Sequence, residues 1–335
     1  MKIDIHAHMY PEALTTVLAR IRGDFPHVEF EESVNGVRFK VGMEEWTRPV
    51  PKSLTDVKKR EEDLDQKGIS LQLNAGWLDI TGYSLPPQEG ARWSRFLNEQ
   101  LAAYLAGHPR FLPVATVPLQ DGELAAKELV QAKRDGHVGV MIGSYIPGMG
   151  DLDSPHLDVF WQAAADESMP VIIHPVFTTH EPRTQKWGMI NAISRPCETA
   201  VCLARLLYAG VPQRFAGLKL IVSHGGGSLP YLLGRMMRNY ELLKGQQDDV
   251  FSPAEGFSLL YFDSVVFEPR ALEFLLSLSS AERVLLGTDD PFPIGDPNPA
   301  LVVERSHITP QDRQRIYVDN AMQLFGLSQS GVGGR

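Results

Sequence analysis

Eight short apolar runs, each followed by a turn and a helical pattern, constrain this chain more than any other feature. The runs fall at 3–8, 69–74, 111–117, 138–142, 170–174, 218–224, 259–264 and 283–289. Helical periodicity covers 88–107, 122–135, 157–167, 197–208, 229–241, 268–278 and 309–325. Segments such as Val171-Ile172-Ile173 and Leu220-Ile221-Val222 are apolar without alternation. That is the pattern of parallel strands covered by helices on both faces. Eight strand–helix units predict an α/β fold, a closed (β/α)8 TIM barrel, with an open doubly wound sheet as the alternative. No G-x-G-x-x-G follows the first run, which counts against a dinucleotide-binding sheet, and Gly225-Gly226-Gly227 lacks the Lys-Ser/Thr of a P-loop.

Between the first two units lies extra chain. Residues 11–20 read as a helix, and 27–42 alternate polar and apolar around Asn35-Gly36, a type I′ hairpin signal. A small β-hairpin inserted after strand 1, about 24–50, is therefore expected. Pro49-Val50-Pro51 then leads to an amphipathic helix over 55–66, with Gly68 as its C-cap. The reading is one domain over 1–327, with a flexible Gly/Ser-rich tail at 328–335.

The 43% hydrophobic content supplies a large core, and the net charge of −9 argues against a nucleic-acid surface. No apolar run reaches the length of a membrane span and no export signal is visible at the N-terminus. Cys197 and Cys202, in an apolar helical pattern, read as reduced core thiols. A cytoplasmic protein with no nucleic-acid or membrane partner is expected.

Four of the predicted strand ends carry a metal-ligand type. The first offers His6 and His8, two apart and so on one face of the strand; the others end in His174, His224 and Asp289. Parallel barrel strands aim these ends at one face, so residues distant in sequence converge there. Each alone reads equally well as a hydrogen-bonded structural residue; together they predict a metal site. Three imidazoles and a carboxylate suit Zn2+, with Mn2+ or Fe2+ as the alternatives. The fourth strand ends in Val140-Met141-Ile142-Gly143, without a bridging ligand, so one ion per chain is expected. Such an ion would bind water and lower its pKa toward neutrality. His224 is kept as the acid/base, because four ligands plus water already fill a five-coordinate sphere.

His6-Ala7-His8, His174-Pro175, His224-Gly225-Gly226-Gly227 and Gly287-Thr288-Asp289-Asp290-Pro291-Phe292-Pro293 resemble the amidohydrolase superfamily. More narrowly, the chain resembles the α-amino-β-carboxymuconate-ε-semialdehyde decarboxylase branch. The resemblance runs nearly end to end and includes Asp65-Gln66-Lys67-Gly68-Ile69, Pro109-Arg110-Phe111, Glu198-Thr199 and Asp319-Asn320-Ala321. It implies that His6, His8, His174 and Asp289 ligate the metal, with His224 as acid/base beside the metal water. It also implies a homodimer in which Arg235 reaches the neighbouring subunit's site to bind a substrate carboxylate. Three positions depart from the branch. Its Phe-Arg near the hairpin is Phe39-Lys40 here, its substrate-covering tryptophan aligns with Asn191, one helical turn after Trp187, and its Thr-Asp-Tyr-Pro is Thr288-Asp289-Asp290-Pro291. Lys40, Asn191, Trp187 and Arg235 are thus the candidate substrate contacts.

Two enzymatic readings follow. One is non-oxidative decarboxylation, by a carbon–carbon lyase, of an unsaturated or aromatic acid carrying an adjacent amino, hydroxyl or carbonyl group. The other is metal-dependent hydrolysis or hydration of a lactone, amide or activated C=C compound in aromatic catabolism. A structural or binding role leaves a base beside an open metal position unexplained. His180, Arg183, Arg195, Trp77 and Asp79 read as ordinary residues of the catalytic-face loops, and His27, His108, His137, His156 and His307 as peripheral.

Overall fold

The computed structural model describes residues 1–176, 181–247 and 249–328. Eight parallel strands form one sheet: β1 (Ile3–His8), β4 (Leu71–Ala75), β5 (Phe111–Ala115), β6 (Gly139–Gly143), β7 (Val171–His174), β8 (Leu220–Val222), β9 (Tyr261–Asp263) and β10 (Val284–Leu285), neighbours in that order. Between β1 and β4, the antiparallel pair β2 (Val28–Ser33) and β3 (Gly36–Val41) forms the inserted hairpin. The sheet closes on itself through backbone bonds from Ile5 N to Leu286 O (2.9 Å), Asp289 N to His6 O (2.8 Å) and His8 N to Asp290 O (2.7 Å). The fold is a (β/α)8 barrel; the open sheet is excluded by that seam.

All six residues of β1 are buried. Alternation puts Ile3, Ile5 and Ala7 on one face and Asp4, His6 and His8 on the other. The second set belongs to the polar interior, where Asp4 accepts from Gln72 Nε2 (2.8 Å), Thr288 Oγ1 (2.6 Å) and His6 N (3.0 Å). Burial and the nearby Asp290 push the Asp4 carboxyl up to about 6, against these bonds. The helix Val57–Lys67 begins at Asp56, whose side chain accepts from Lys59 N, and ends at Gly68 with φ +64, a left-handed cap that glycine adopts without a Cβ penalty. Its Arg60 is buried and donates to Gln72 Oε1 (2.9 Å) and to the His8 carbonyl (3.1 Å), clamping the end of β1.

The hairpin sits where it was expected, but its register differs by one residue. Ser33 pairs with Gly36, so Val34 and Asn35 form the tip and Gly36 opens β3 at φ +113. Phe39 is fully buried with Tyr10, Trp77 and Trp93 in a cluster beside the barrel. Cys202 is buried as expected, whereas Cys197 is exposed and is no core thiol, because it falls on the outer side of the helix Arg195–Tyr208. No helix among the described residues is long and apolar enough to cross a membrane. Residues 329–335 of the expected tail lie outside the described residues.

Candidate metal centre

The barrel brings the five predicted residues together around the carboxylate of Asp289. Its Oδ1 lies 3.3 Å from His8 Nε2, 3.5 Å from His6 Nε2 and 3.9 Å from His174 Nε2. Its other oxygen, Oδ2, faces His224 Nε2 at 3.3 Å. His6 Nε2 and His8 Nε2 are themselves 3.3 Å apart. Neither His224 nor Asp289 lies in a strand as the sequence predicted. β8 stops at Val222 and β10 at Leu285, and both residues follow in left-handed backbone, at φ +55 and +61. Such φ values are uncommon for side-chain-bearing residues and cluster at functional sites.

Proton placement separates these imidazoles. His174 Nδ1 lies 2.8 Å from the Pro175 carbonyl, and His8 Nδ1 3.5 Å from that of Gly76. A carbonyl only accepts, so these Nδ1 atoms carry the hydrogen and Nε2 turns a lone pair inward. His6 Nδ1 contacts Asp263 Oδ2 at 2.6 Å, with the same result. His224 differs: its Nδ1 neighbours the Ser223 hydroxyl at 3.4 Å, a group that donates or accepts by rotation. His224 is also the most open of the set, with its side chain 16% exposed against 4% or less for the other three histidines.

The donor set fits a cation. His174 Nε2 and Asp289 Oδ1 are buried with no hydrogen-bond partner among the described residues. Burial alone would raise the Asp289 carboxyl, but His174, His224 and His8 hold it well below the usual range; Asp263 is held down by His6 in the same way. Burial lowers His8 and drives His174 well below its ordinary value, so both stay neutral. For His6 burial is outweighed by Asp263 and Asp289, which carry it up to about 9. His8 and His174 thus turn lone pairs, and His6 a nitrogen whose proton a cation would displace, toward two buried carboxylates that call for positive charge between them. The potential ligand atoms of His6, His174, His224 and Asp289 lie within 4.8 Å of one another, a grouping that omits His8. The short His8 contacts to Asp289 Oδ1 and His6 nevertheless place it against the same point.

The outer residues divide. Lys40 faces away from buried Phe39, with its amine 3.6 Å from Glu29 on the partner strand. Strand alternation therefore turns it away from the cluster that holds Phe39. Trp187, Asn191 and Arg235 are exposed and none joins the cluster within this chain. His180 lies outside the described residues, and Arg183 is exposed in a pair with Glu181. The departure at Asp290 is absorbed by Lys67, whose amine lies 2.6 and 2.7 Å from its two oxygens.

Two residues escaped the sequence reading. Asp263 ends β9, inside an apolar run where only its place at a strand end marked it. Arg48 sits in the irregular segment after the hairpin. Its guanidinium lies 5.3 Å from the Phe292 ring and 5.8 Å from that of Trp77, and Phe292 packs 5.0 Å from the His8 ring. Arg48 Nε is 3.5 Å from Asp79 Oδ2.

The amidohydrolase family model matches residues 3–327. The chain belongs to the amidohydrolase family. Within it, the chain is 26% identical over 333 residues to a 2-amino-3-carboxymuconate-6-semialdehyde decarboxylase of Dictyostelium discoideum, covering 98% of this chain and 92% of that one. Its fold matches the crystal structure of 5-carboxyvanillate decarboxylase from Sphingomonas paucimobilis at 19% identity and TM-score 0.79, over 98% of this chain and 99% of that one. It also matches dihydroxybenzoic acid decarboxylase from Polaromonas sp. JS666, described with bound manganese and the inhibitor 2-nitroresorcinol, at 22% identity and TM-score 0.77 over 99% of both chains.

Proposed function

We propose that this amidohydrolase is a metal-dependent, non-oxidative decarboxylase of an unsaturated or aromatic acid with an adjacent hydroxyl, amino or carbonyl group. The observation that carries the reading is the difference in proton locking around Asp289. The Nδ1 atoms of His6, His8 and His174 are engaged by Asp263, Gly76 and Pro175, which turns each Nε2 inward, whereas His224 has only the Ser223 hydroxyl at its Nδ1 and presents its Nε2 to Asp289 Oδ2 at 3.3 Å. The relatives named above are all decarboxylases of acids whose carboxylate sits on an unsaturated carbon.

In this reading His6, His8, His174 and Asp289 hold one divalent ion per chain. Two buried carboxylates, Asp263 and Asp289, favour a dication, and the imidazole-rich set favours Zn2+, with Mn2+ or Fe2+ as the other candidates. An ion bound there would supply Lewis-acid charge beside the substrate's carboxylate. His224 delivers a proton to the carbon that loses CO2: the C–C pair stays on that carbon, the proton satisfies it, and CO2 leaves. Arg48, beside Phe292 and near His8, is placed to hold a carboxylate or the anionic ring and takes the role the sequence gave to Lys40.

The homodimer belongs to the same proposal. Arg235 is exposed on the helix Leu229–Leu243 beside Tyr231, 85% exposed, whose ring lies 6.5 Å from that of half-exposed Phe274; Trp187 is 88% exposed. Large apolar groups exposed near a cation fit a covered interface that would bring Arg235 to a partner's site. A cytoplasmic setting agrees with the free cysteines.

The test is incubation of metal-loaded protein with hydroxy- and amino-substituted benzoic and muconic acids, with CO2 measured. Release of CO2 that stops in His224→Ala supports the proposal. Opening of lactones or amides without CO2 would make the protein a hydrolase instead. Sedimentation that finds only monomer would remove Arg235 from the site.

A further inference from the structure

Beside the metal centre runs a cleft of about 620 Å3, with Trp46, Arg48, Asp79, Tyr145 and Val176 in its wall. It is linked to the site by two of its wall residues: Val176 is two residues past His174, and Arg48 lies against Phe292, which packs on His8. The Asp79 side chain is only 6% exposed, yet its carboxyl is poorly served. Oδ2 has Arg48 Nε at 3.5 Å, beyond a good hydrogen bond, and Oδ1 has no partner among the described residues. Buried carboxyl oxygens are ordinarily bonded, so an unfilled one in the wall of a cleft points to a ligand group that fills it. The Asp terminal torsion is broad and two-fold, so either oxygen can be turned to the cleft.

The surroundings define that group. Glu44 lines the same cleft, bonded to the Ser84 hydroxyl at 3.3 Å, and Glu45 lies next to it. Burial pushes Asp79 up to about 7 against the pull of Arg48 and Arg195, and also raises Glu44. The cleft thus offers a surplus of carboxyl acceptors, with Arg48 in its wall and Arg195 also acting on Asp79. A donor would be taken up by the unfilled Asp79 oxygen, whereas a group without one would leave it unpaired.

The structure assigns to Asp79 the reading of a hydrogen-bond donor, an amino or hydroxyl substituent, on the part of the substrate remote from the departing carboxylate. The assignment rests on the decarboxylase reading of the neighbouring centre. It makes Asp79 a specificity-determining residue: an analogue without the donor leaves the buried carboxyl unpaired and is rejected for that reason.

The test uses metal-loaded protein and salicylates carrying an amino, hydroxyl or methyl group at ring position 4 or 5. Binding is read by calorimetry and CO2 release in parallel. The expected result is that an amino- or hydroxyl-bearing salicylate binds at least about tenfold more tightly than its methyl counterpart, on the scale of leaving a buried acceptor unpaired. Asp79→Leu, of similar volume, should erase the preference while His224→Ala keeps it. If Asp79→Leu does not fold, as judged by melting and metal content, Asp79→Asn is read in its place and should reduce the preference several-fold. No donor preference in the wild type, survival of the preference in the Asp79 variant, or failure of every salicylate to bind overturns the assignment. Donor preference without CO2 release would instead count against the decarboxylase reading, and CO2 release without preference against Asp79 alone.

Discussion

Asp263 Oδ2 lies 2.6 Å from His6 Nδ1, and this contact decides which nitrogen of His6 can face the metal position. The same carboxylate accepts from the backbone N–H of Gly225 at 2.9 Å and of Val265 at 3.1 Å. One side chain therefore ties a metal-facing histidine to the loop that carries His224. Asp263→Asn keeps an acceptor for the backbone but loses the charge and the fixed tautomer. Metal affinity should fall about 10–100-fold, the usual effect of losing such a partner. Competition with a chromogenic chelator measures it, and unchanged affinity would refute the role.

His224→Gln should keep its metal and its melting temperature while CO2 release falls by about 10²–10⁴-fold, the range for loss of a general acid–base. Elemental analysis beside the activity assay separates the two effects. Loss of metal in this variant would move His224 into the ligand set.

Asp289→Asn should fail to retain metal, because Asp289 faces four imidazoles at once. In the wild type, removing the ion with a chelator should lower stability; at a free-metal level 100 times Kd the bound ion contributes about 2.7 kcal/mol. Equal melting temperatures of loaded and stripped wild-type protein would contradict a built metal site.

Arg48→Lys should raise KM by about tenfold or more and not behave as a conservative change, because lysine lacks the planar fork that grips a carboxylate. Lys40→Ala should leave KM unchanged, since its amine is engaged with Glu29 at the solvent edge. The opposite pattern would restore the Phe39-Lys40 reading.

Glu128, with its side chain 8% exposed, gives a pH signature away from the site. Burial raises its carboxyl to about 7 against Asn98 and Arg95. The folded state then holds the proton more tightly than the unfolded chain. The corresponding stability is present below pH about 4.5 and is lost as pH rises toward about 7. Glu128→Gln should remove this slope, so that the variant gains on wild type by on the order of 2–3 kcal/mol between pH 4.5 and 8. Denaturant titrations at both pH values check it; parallel pH profiles would disprove it.

The fold was legible because both faces of each strand are covered, which leaves unbroken apolar runs such as Val171-Ile172-Ile173. The five central residues were legible because strand ends converge whatever their separation in sequence. Lys40 came from a motif position carried over without its parity: with Phe39 packed into its cluster, Lys40 faces the other way, toward Glu29. Arg48 was hidden because its segment has no periodicity, and its value comes from the rings of Phe292 and Trp77, distant in sequence. Asp263 showed no signal of its own, since its work is to orient another residue.

The seam of the barrel has a consequence for how the protein comes into being. His6 and Asp289 are joined through backbone as well as side chain, at nearly opposite ends of the chain. During synthesis the paired histidines of β1 emerge first and wait for the seven other barrel strands before Asp289 appears. Metal capture can thus report on complete maturation: a truncated or stalled product that lacks the last strand would display paired histidines yet have no closed ring of ligands to hold the ion.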